Sequence, residues 1–297
     1  MEKFVILILF LFMSLGIQNI RVYGLDDYTE TMKKDLLTMF MAYPNHVVGV
    51  EKSNNGQIFI ILKSGKKILY DDKQQKSHEG KLNNPDIQDM LEQIYPLGNI
   101  NKLQDVNFDP GRVRVYSLLQ CVYGNSKSKV ESQLRNTSGG QFNKENKAAE
   151  SLNNVLRDIN LAGKTNSKVS GFVYPINGTY NYRYISGTNR LSPHAFGIAI
   201  DIKSHPHDYW KWNTRANGEK RMLSYPIELV EIFEKNNFVW GGKWGHFDML
   251  HFEYRPEIMI KAKYFSCKTK DNEQWYSNAP DDENVKNYIK LIEESLK

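Results

Sequence analysis

Residues 192–201 read SPHAFGIAID, and residues 248–251 read DMLH. Together they offer two imidazoles and one carboxylate as metal ligands, namely His194, His251 and Asp201. A zinc site that hydrolyses substrates usually has three ligands of the His, Asp or Glu type and an open fourth position for water, whereas a structural site is normally closed by four ligands rich in cysteine. Because the chain has only two cysteines, the pattern favours an open catalytic site.

The alternation of side chains after His194 predicts a strand over residues 197–202. Successive side chains of a strand point to opposite faces, so the three isoleucines of this segment enter the core. The opposite face carries only glycine and alanine until Asp201. That face therefore leaves room for an ion and a substrate backbone beside the sheet.

The segment DMLH also supplies a carboxylate that is free to act as a base, Asp248. In an ideal strand Asp248 and His251 would point to opposite faces, while His251 and Glu253 would share one face. The glycines of WGGKWG, residues 240–245, permit irregular backbone, so Asp248 can lie on a turn before the strand begins. Glu253 remains the alternative general base.

The pattern S-x-H-x-x-G-x-A-x-D, followed by W-G-G-x-W and D-x-x-H-F-E, resembles the zinc D-alanyl-D-alanine carboxypeptidases. Their relatives include D-Ala-D-Ala dipeptidases, phage L-alanyl-D-glutamate endopeptidases and hedgehog-like domains. The match runs from about Asn181 to Tyr254, and residues 109–112, DPGR, resemble the opening region of longer members. The resemblance implies an α+β fold, in which a zinc domain with a small antiparallel sheet flanked by helices follows a small α/β N-terminal module.

The resemblance also implies a role for individual residues. His194, Asp201 and His251 would bind one zinc ion per chain, and Asp248 would take a proton from the zinc-activated water and return it to the departing amine. No nucleophilic serine or cysteine is then required. Arg183 resembles the family arginine that faces the substrate near the metal.

Residues beside these motifs have less specific interpretations. We assign Ser192 and Trp244 to substrate binding; the alternatives are a hydrogen bond or turn role for Ser192 and core packing around the glycine turn for Trp244. His205, His207 and His246 lie close in sequence, but we interpret them as part of solvated connections and not as metal ligands.

Four segments are expected along the chain. Residues 1–24 contain a charged start and an apolar run over residues 4–15, which predicts a secretory signal peptide; a retained anchor is the alternative, for which the run is short. Residues 25–102 form an N-terminal module of unknown role, and residues 103–280 form the zinc peptidase domain. Residues 281–297 form a C-terminal helix that packs on this domain.

Apolar periodicity and turn residues predict the secondary structure in outline. Helices are predicted over residues 27–43, 85–94, 148–162, 227–238 and 285–296. Strands are predicted over residues 47–50, 58–62 and 67–70, and residues 71–84 read as a loop. A hairpin is predicted from residues 169–174 and 180–185, which flank an Asn-Gly turn.

The net charge and the two cysteines limit which cellular compartment and which binding partners we expect. Export would place the chain in the periplasm, the cell envelope or outside the cell, where Cys121 and Cys267 can form a disulfide; a buried free thiol at Cys121 is the alternative. The net charge of +5 is mild and distributed, so nucleic-acid binding is not expected. We expect a monomer that binds peptidoglycan peptides and has no stable membrane insertion after signal cleavage.

The sequence therefore predicts an exported zinc peptidase that acts on peptidoglycan stem peptides. D-alanyl-D-alanine carboxypeptidase activity is the first expectation, and L-alanyl-D-glutamate endopeptidase activity is the second. A non-catalytic, hedgehog-like module that binds the cell wall is an alternative of a different class. The carboxylate of Asp248 argues against it, because a binding domain has no need of a base beside an open metal position.

Overall fold

A computed structural model describes residues 25–297 of the chain. The signal peptide predicted over residues 1–24 lies outside the described residues. The fold is α+β, as predicted: the described part combines helices with three small antiparallel sheets. Within residues 25–297 no helix is both long enough and apolar enough to cross a membrane.

The N-terminal module packs one long helix against a three-stranded antiparallel sheet. The predicted first helix and the three strands are confirmed, whereas the predicted loop over residues 71–84 contains a short helix that the Ser77 hydroxyl caps. The elements are α1 (Leu25–Ala42), β1 (Val47–Lys52), β2 (Ile58–Leu62), β3 (Lys67–Leu69), α2 (His78–Asn83) and α3 (Ile87–Leu91).

The middle of the chain supplies a helical layer and a two-stranded hairpin. The predicted helix over residues 148–162 is confirmed as α6, whose apolar side chains at helical spacing are buried. The elements here are α4 (Tyr116–Tyr123), α5 (Lys127–Ser132), β4 (Leu134–Thr137), β5 (Gly140–Asn143), α6 (Ala148–Ala162) and α7 (Ser167–Val173).

The third sheet has three antiparallel strands in the order β6-β8-β7, with β8 at its centre. Helices flank it, as predicted, and the helix expected over residues 227–238 ends earlier because its last residues form β7. The elements are β6 (Ala199–Asp201), α8 (Arg215–Ser224), α9 (Ile227–Lys235), β7 (Phe238–Trp240), β8 (His251–Tyr254) and α10 (Pro256–Tyr264).

The hairpin predicted over residues 169–185 is wrong. Its first half is helix α7, in which Val169 and Val173 are one turn apart and both fully buried. Because residues four apart share a helix face, the β-branched content of this short segment does not favour a strand over a helix. The second half is a loop, and Gly178 at the expected turn pairs instead with Asp201.

The C-terminal helix α11 (Glu283–Leu296) packs on the N-terminal module, against α1 and β1. The rings of Tyr288 and Phe40 stack with centroids 4.9 Å apart, and Val285 and Ile292 are buried. Trp275 of the predicted zinc domain also donates a hydrogen bond to Glu293 of α11 at 3.1 Å, and both ends of the described chain meet in the N-terminal module. Helix length and amphipathic pattern were predictable, whereas the surface that the helix covers was not.

The two cysteines are not paired. Cys121 lies half-buried on α4 with its sulfur 3.9 Å from Ser64 Oγ, and Cys267 is exposed after α10. The disulfide that the sequence allowed is therefore not formed, and Cys121 is a free thiol that is half-buried and not buried as the alternative had it. An even number of cysteines in the sequence does not show that the two residues lie close enough to form a disulfide.

The N-terminal module and the remainder of the fold are joined by a buried lysine. Lys243 is 1% exposed, and its ammonium contacts the Glu234 carboxylate and donates hydrogen bonds to the carbonyls of Pro96 at 2.7 Å and Gly98 at 2.6 Å. Since buried charges must be paired and hydrogen-bonded, this ammonium fixes the segment after α3 against α9.

We predict that Lys243→Ala lowers the free energy of unfolding by about 3–5 kcal/mol, because Glu234 would remain buried without its partner. Lys164→Ala, at an exposed position, serves as the matched control and should change stability by no more than about 0.5 kcal/mol. Denaturant unfolding measures both values. Equal midpoints for the two variants would contradict this role of Lys243.

Candidate metal centre

Two of the three predicted ligands form a directly opposed pair across neighbouring strands. β6 and β8 run antiparallel in a register that pairs Asp201 with His251 and Ala199 with Glu253. Side chains of opposed residues lie on the same face of a sheet with their Cβ atoms about 4.5–5.5 Å apart. The register therefore brings a carboxylate and an imidazole together without help from any loop.

The third ligand reaches the same face from a short 3-10 helix over Pro193–Phe196, directly before β6. Gly197 ends this helix in the left-handed conformation, with φ of 67°. A Cβ there would lie 2.9 Å from Leu134 Cδ2 and 3.1 Å from Asn143 N, so both the backbone angle and the space require glycine. This sharp reversal places His194 over the small-residue face of β6.

The three nearest ligand-type atoms form a compact triangle, which we call the metal cluster. His194 Nε2 lies 3.3 Å from His251 Nδ1 and 3.2 Å from Asp201 Oδ1, and His251 Nδ1 lies 2.9 Å from the same oxygen. Two ligands bound tetrahedrally to zinc at the usual bond lengths are about 3.3 Å apart. The donor types and their separations therefore fit a zinc ion held by His194, Asp201 and His251.

Hydrogen bonds fix how each imidazole faces the metal cluster. His194 Nδ1 lies 2.6 Å from the carbonyl oxygen of Thr179, which can only accept, so Nδ1 carries the proton and Nε2 presents its lone pair. His251 presents Nδ1 to the cluster, and its Nε2 faces Glu253 Oε2 at 3.7 Å. Partners on the outer nitrogen of a histidine orient the ring for coordination.

Glu253 is held by arginines and does not project into the open side of the cluster. Its carboxylate accepts two hydrogen bonds from Arg114, at 2.8 Å from Nε and 2.5 Å from Nη2, and Arg255 Nη1 lies 3.4 Å away. Burial raises the pKa of Glu253, but Arg114 outweighs it and the pKa is held well below its usual range. The geometry thus gives Glu253 a positioning role behind His251.

Asp248 lies on a turn immediately before β8, where the sequence placed it. Its carbonyl accepts a hydrogen bond from His251 N at 3.2 Å, and its own N–H donates to Gly241 O at 3.0 Å. Burial raises the pKa of Asp248 to about 6, with Asp201 adding to the rise and His251 opposing it. Asp248 is half-buried, and its carboxyl interacts electrostatically with Asp201, His251 and His194.

The motif WGGKW explains how Asp248 is held. A Cβ on Gly241 would lie 2.4 Å from Asp248 O, and one on Gly242 would lie 2.3 Å from the ring of Trp240. The indole of Trp240 in turn donates a hydrogen bond to Met249 O at 2.8 Å. Both glycines are thus required by close approach of neighbouring groups.

The other predicted site residues differ in solvent exposure. Arg183 is exposed and accepts a hydrogen bond at its carbonyl from Ser192 N at 3.0 Å. Ser192 is 2% exposed and caps the 3-10 helix by accepting from His194 N, and Trp244 is 3% exposed with its ring 5.7 Å from that of His251. Both side chains are buried next to the proposed ligands, and their assignment to substrate binding stays a prediction.

Sequence reasoning missed Arg112 and Tyr209. The guanidinium of Arg112 lies 5.8 Å from the ring of Trp244, and the backbone of Tyr209 pairs with that of Asp248. Burial and Asp248 raise the pKa of Tyr209, while Arg112 and Arg183 oppose the rise, so two arginines act on this corner of the site. The DPGR motif was the signal for Arg112, but its pairing partner could not be read from local sequence.

One known family matches the segment that carries the site. The family model described as D-alanyl-D-alanine carboxypeptidase matches residues 186–254. This confirms the predicted family resemblance. The matched segment contains the metal cluster and Asp248 but begins after Arg183, and it covers a minor part of the chain. No curated protein and no solved structure matches the chain.

We predict that Gly241→Ala destabilises the protein by about 1–3 kcal/mol, because the added methyl would displace Asp248 or the ring of Trp244. Gly171→Ala is the matched control: no atom lies within 4 Å of its Cβ position inside α7, and alanine favours a helix over glycine. Thermal and denaturant unfolding should give opposite signs for the two variants. A neutral Gly241→Ala variant would contradict the close contact.

Proposed function

We propose that this chain is an exported zinc peptidase that removes the terminal D-alanine from peptidoglycan stem peptides. The observation that carries the proposal is the metal cluster, a triangle of two imidazole nitrogens and one carboxylate oxygen with separations suited to zinc. The family match over residues 186–254 supports a peptidase. The proposal includes the fold of the hedgehog-like and D-Ala-D-Ala peptidase group for the segment that carries the site.

One zinc ion per chain would be held by His194, Asp201 and His251. Zinc with three protein ligands and an open position supplies Lewis-acid chemistry and lowers the pKa of a coordinated water to about 7. The side chains of the protein then have separable tasks. Asp248 accepts a proton at its carboxylate and returns it to the departing amine, and Glu253 with Arg114 fixes the ring of His251.

The role of Asp248 as general base is supported by the arrangement around both carboxylates. A base must be able to approach the reacting water and to exchange its proton near the working pH. Asp248 is half-buried with a pKa raised to about 6, whereas Glu253 is neutralised by Arg114 at 2.5 and 2.8 Å. These contacts favour Asp248 over the alternative base that the sequence left open.

A substrate with a free carboxylate is supported by the two arginines near Tyr209. Arg183 is exposed, and Arg112 is partly exposed, with Nε and Nη2 left after Nη1 donates to Asp109. Guanidinium groups bind carboxylates with two parallel hydrogen bonds. Their presence favours an exopeptidase that recognises a terminal carboxylate, and in this proposal Arg183 is the group that contacts the substrate.

We predict that Asp248→Ala retains zinc and loses hydrolysis by at least about 10²-fold, because it removes proton transfer and leaves every ligand in place. Asp271→Ala, at an exposed aspartate, is the control and should retain full activity. Elemental analysis and initial rates on the same preparations separate the two effects. Unchanged turnover of the zinc-loaded Asp248→Ala variant would refute the assigned base.

The substrate is tested with purified stem peptides that end in D-Ala-D-Ala, followed by mass spectrometry. We expect a mass loss equal to one alanine, and prior removal of zinc by a chelator should abolish it. Release of an intact stem from the glycan would instead identify an L-alanyl-D-glutamate endopeptidase. Binding of wall fragments by the zinc-loaded chain without any cleavage would support the non-catalytic module.

A further inference from the structure

A second group of ligand-type side chains lies outside the metal cluster. His78 at the start of α2, Asp109 in the DPGR segment and His246 before β8 offer ligand atoms that all lie within 4.8 Å of one another. We call these three residues the second cluster. Asp109 is fully buried and the two imidazoles are largely buried, with side-chain exposures of 19% for His78 and 16% for His246.

The separations in the second cluster are similar to those in the metal cluster. Asp109 Oδ2 lies 2.7 Å from His246 Nδ1 and 3.2 Å from His78 Nε2. The two imidazole rings are nearly parallel, at 20° and 5.6 Å between centroids. Two nitrogens and one oxygen thus converge from three separate segments of the chain, which is the donor set of an open zinc site.

One atom of the second cluster lacks a hydrogen-bond partner. His78 Nε2 is buried and makes no hydrogen bond; its contact with Asp109 Oδ2 at 3.2 Å is an ion-pair distance only. An unsatisfied buried polar atom costs about 1–3 kcal/mol. Coordination to a cation would satisfy this nitrogen, since a ligand lone pair needs no donor hydrogen.

The charge of Asp109 also suits a cation. Its carboxylate is fully buried, and its other oxygen, Oδ1, accepts a hydrogen bond from His246 N at 2.9 Å, which holds Oδ2 towards the two imidazoles. Arg112 Nη1 donates to Asp109 Oδ2 at 2.9 Å. This guanidinium repels a second cation, and binding here should therefore be weaker than at the metal cluster.

A third group of possible ligands, made of three aspartates, already has a cationic side chain among its carboxylates. Asp71, Asp72 and Asp86 also bring their oxygens together, but Lys76 Nζ lies 2.8 Å from Asp72 Oδ2 and 3.1 Å from Asp86 Oδ2. The ammonium already neutralises these carboxylates. In the second cluster Arg112 also contacts the carboxylate of Asp109, but two of the three donors are imidazoles, which favour transition metals over calcium or magnesium.

We propose that His78, Asp109 and His246 bind a second zinc ion, which joins the N-terminal module to the catalytic part of the fold. His78 belongs to the module, whereas His246 lies two residues before Asp248. A zinc ion shared between them anchors the backbone that carries the proposed base. The sequence-based interpretation of His246 as a solvated residue is revised accordingly, and His205 and His207 keep theirs.

Zinc stoichiometry tests the proposal with the full chain and zinc alone as the probe. After equilibrium dialysis against free zinc, elemental analysis should give about two equivalents for the unmodified chain and about one for both His78→Gln and Asp201→Ala. Glutamine keeps a polar side chain but is a poor zinc ligand. His207→Gln, at an exposed histidine, is the matched control and should keep two.

Thermal unfolding supplies an independent readout. A ligand that binds only the folded state raises Tm, so zinc should still raise the Tm of Asp201→Ala and should not raise that of Asp201→Ala combined with His78→Gln. One equivalent in the unmodified chain, unaffected by His78→Gln and removed by Asp201→Ala, would overturn the second site and leave the proposed function intact. If the unmodified chain instead binds one equivalent of zinc, which His78→Gln removes and Asp201→Ala does not, the second site is supported and the proposed zinc site at the metal cluster is contradicted.

Discussion

The antiparallel register of β6 and β8 is the constraint on which the site depends. It places Asp201 opposite His251 and, two residues along, Ala199 opposite Glu253. A shift by one residue would turn every side chain of a strand to the other face, so the cluster cannot form in any other register. The three isoleucines at positions 198, 200 and 202 are fully buried, and their burial fixes this register through the hydrophobic effect.

A network of buried side chains links His251 to Tyr43, the residue that follows α1. Arg114 and Arg255 both contact Glu253, and Arg255 Nε donates to Glu257 at 2.5 Å. Glu257 accepts a hydrogen bond from Tyr43 at 2.7 Å. Since buried charges are stable only when paired and hydrogen-bonded, the N-terminal module is part of what holds the site in place.

The sequence predicted local features of this fold well and long-range pairings poorly. The order of small and bulky residues around Asp201 predicted its strand, and the glycines before Asp248 predicted its turn, because both depend on neighbours along the chain. Arg114, which donates to Glu253, and His246, which contacts Asp109, lie 139 and 137 residues away from them, and no local pattern specifies these pairs. The same limit explains why α11 covers an unexpected surface and why Cys121 and Cys267 remain apart.

The central claim is that His194, Asp201 and His251 hold one zinc ion at the face of β6. A crystal structure of the zinc-loaded chain, with anomalous diffraction at the zinc edge, tests it most directly. The account predicts an anomalous peak about 2.0–2.2 Å from His194 Nε2, His251 Nδ1 and Asp201 Oδ1. Absence of a peak at this position, in crystals that contain zinc, would contradict it.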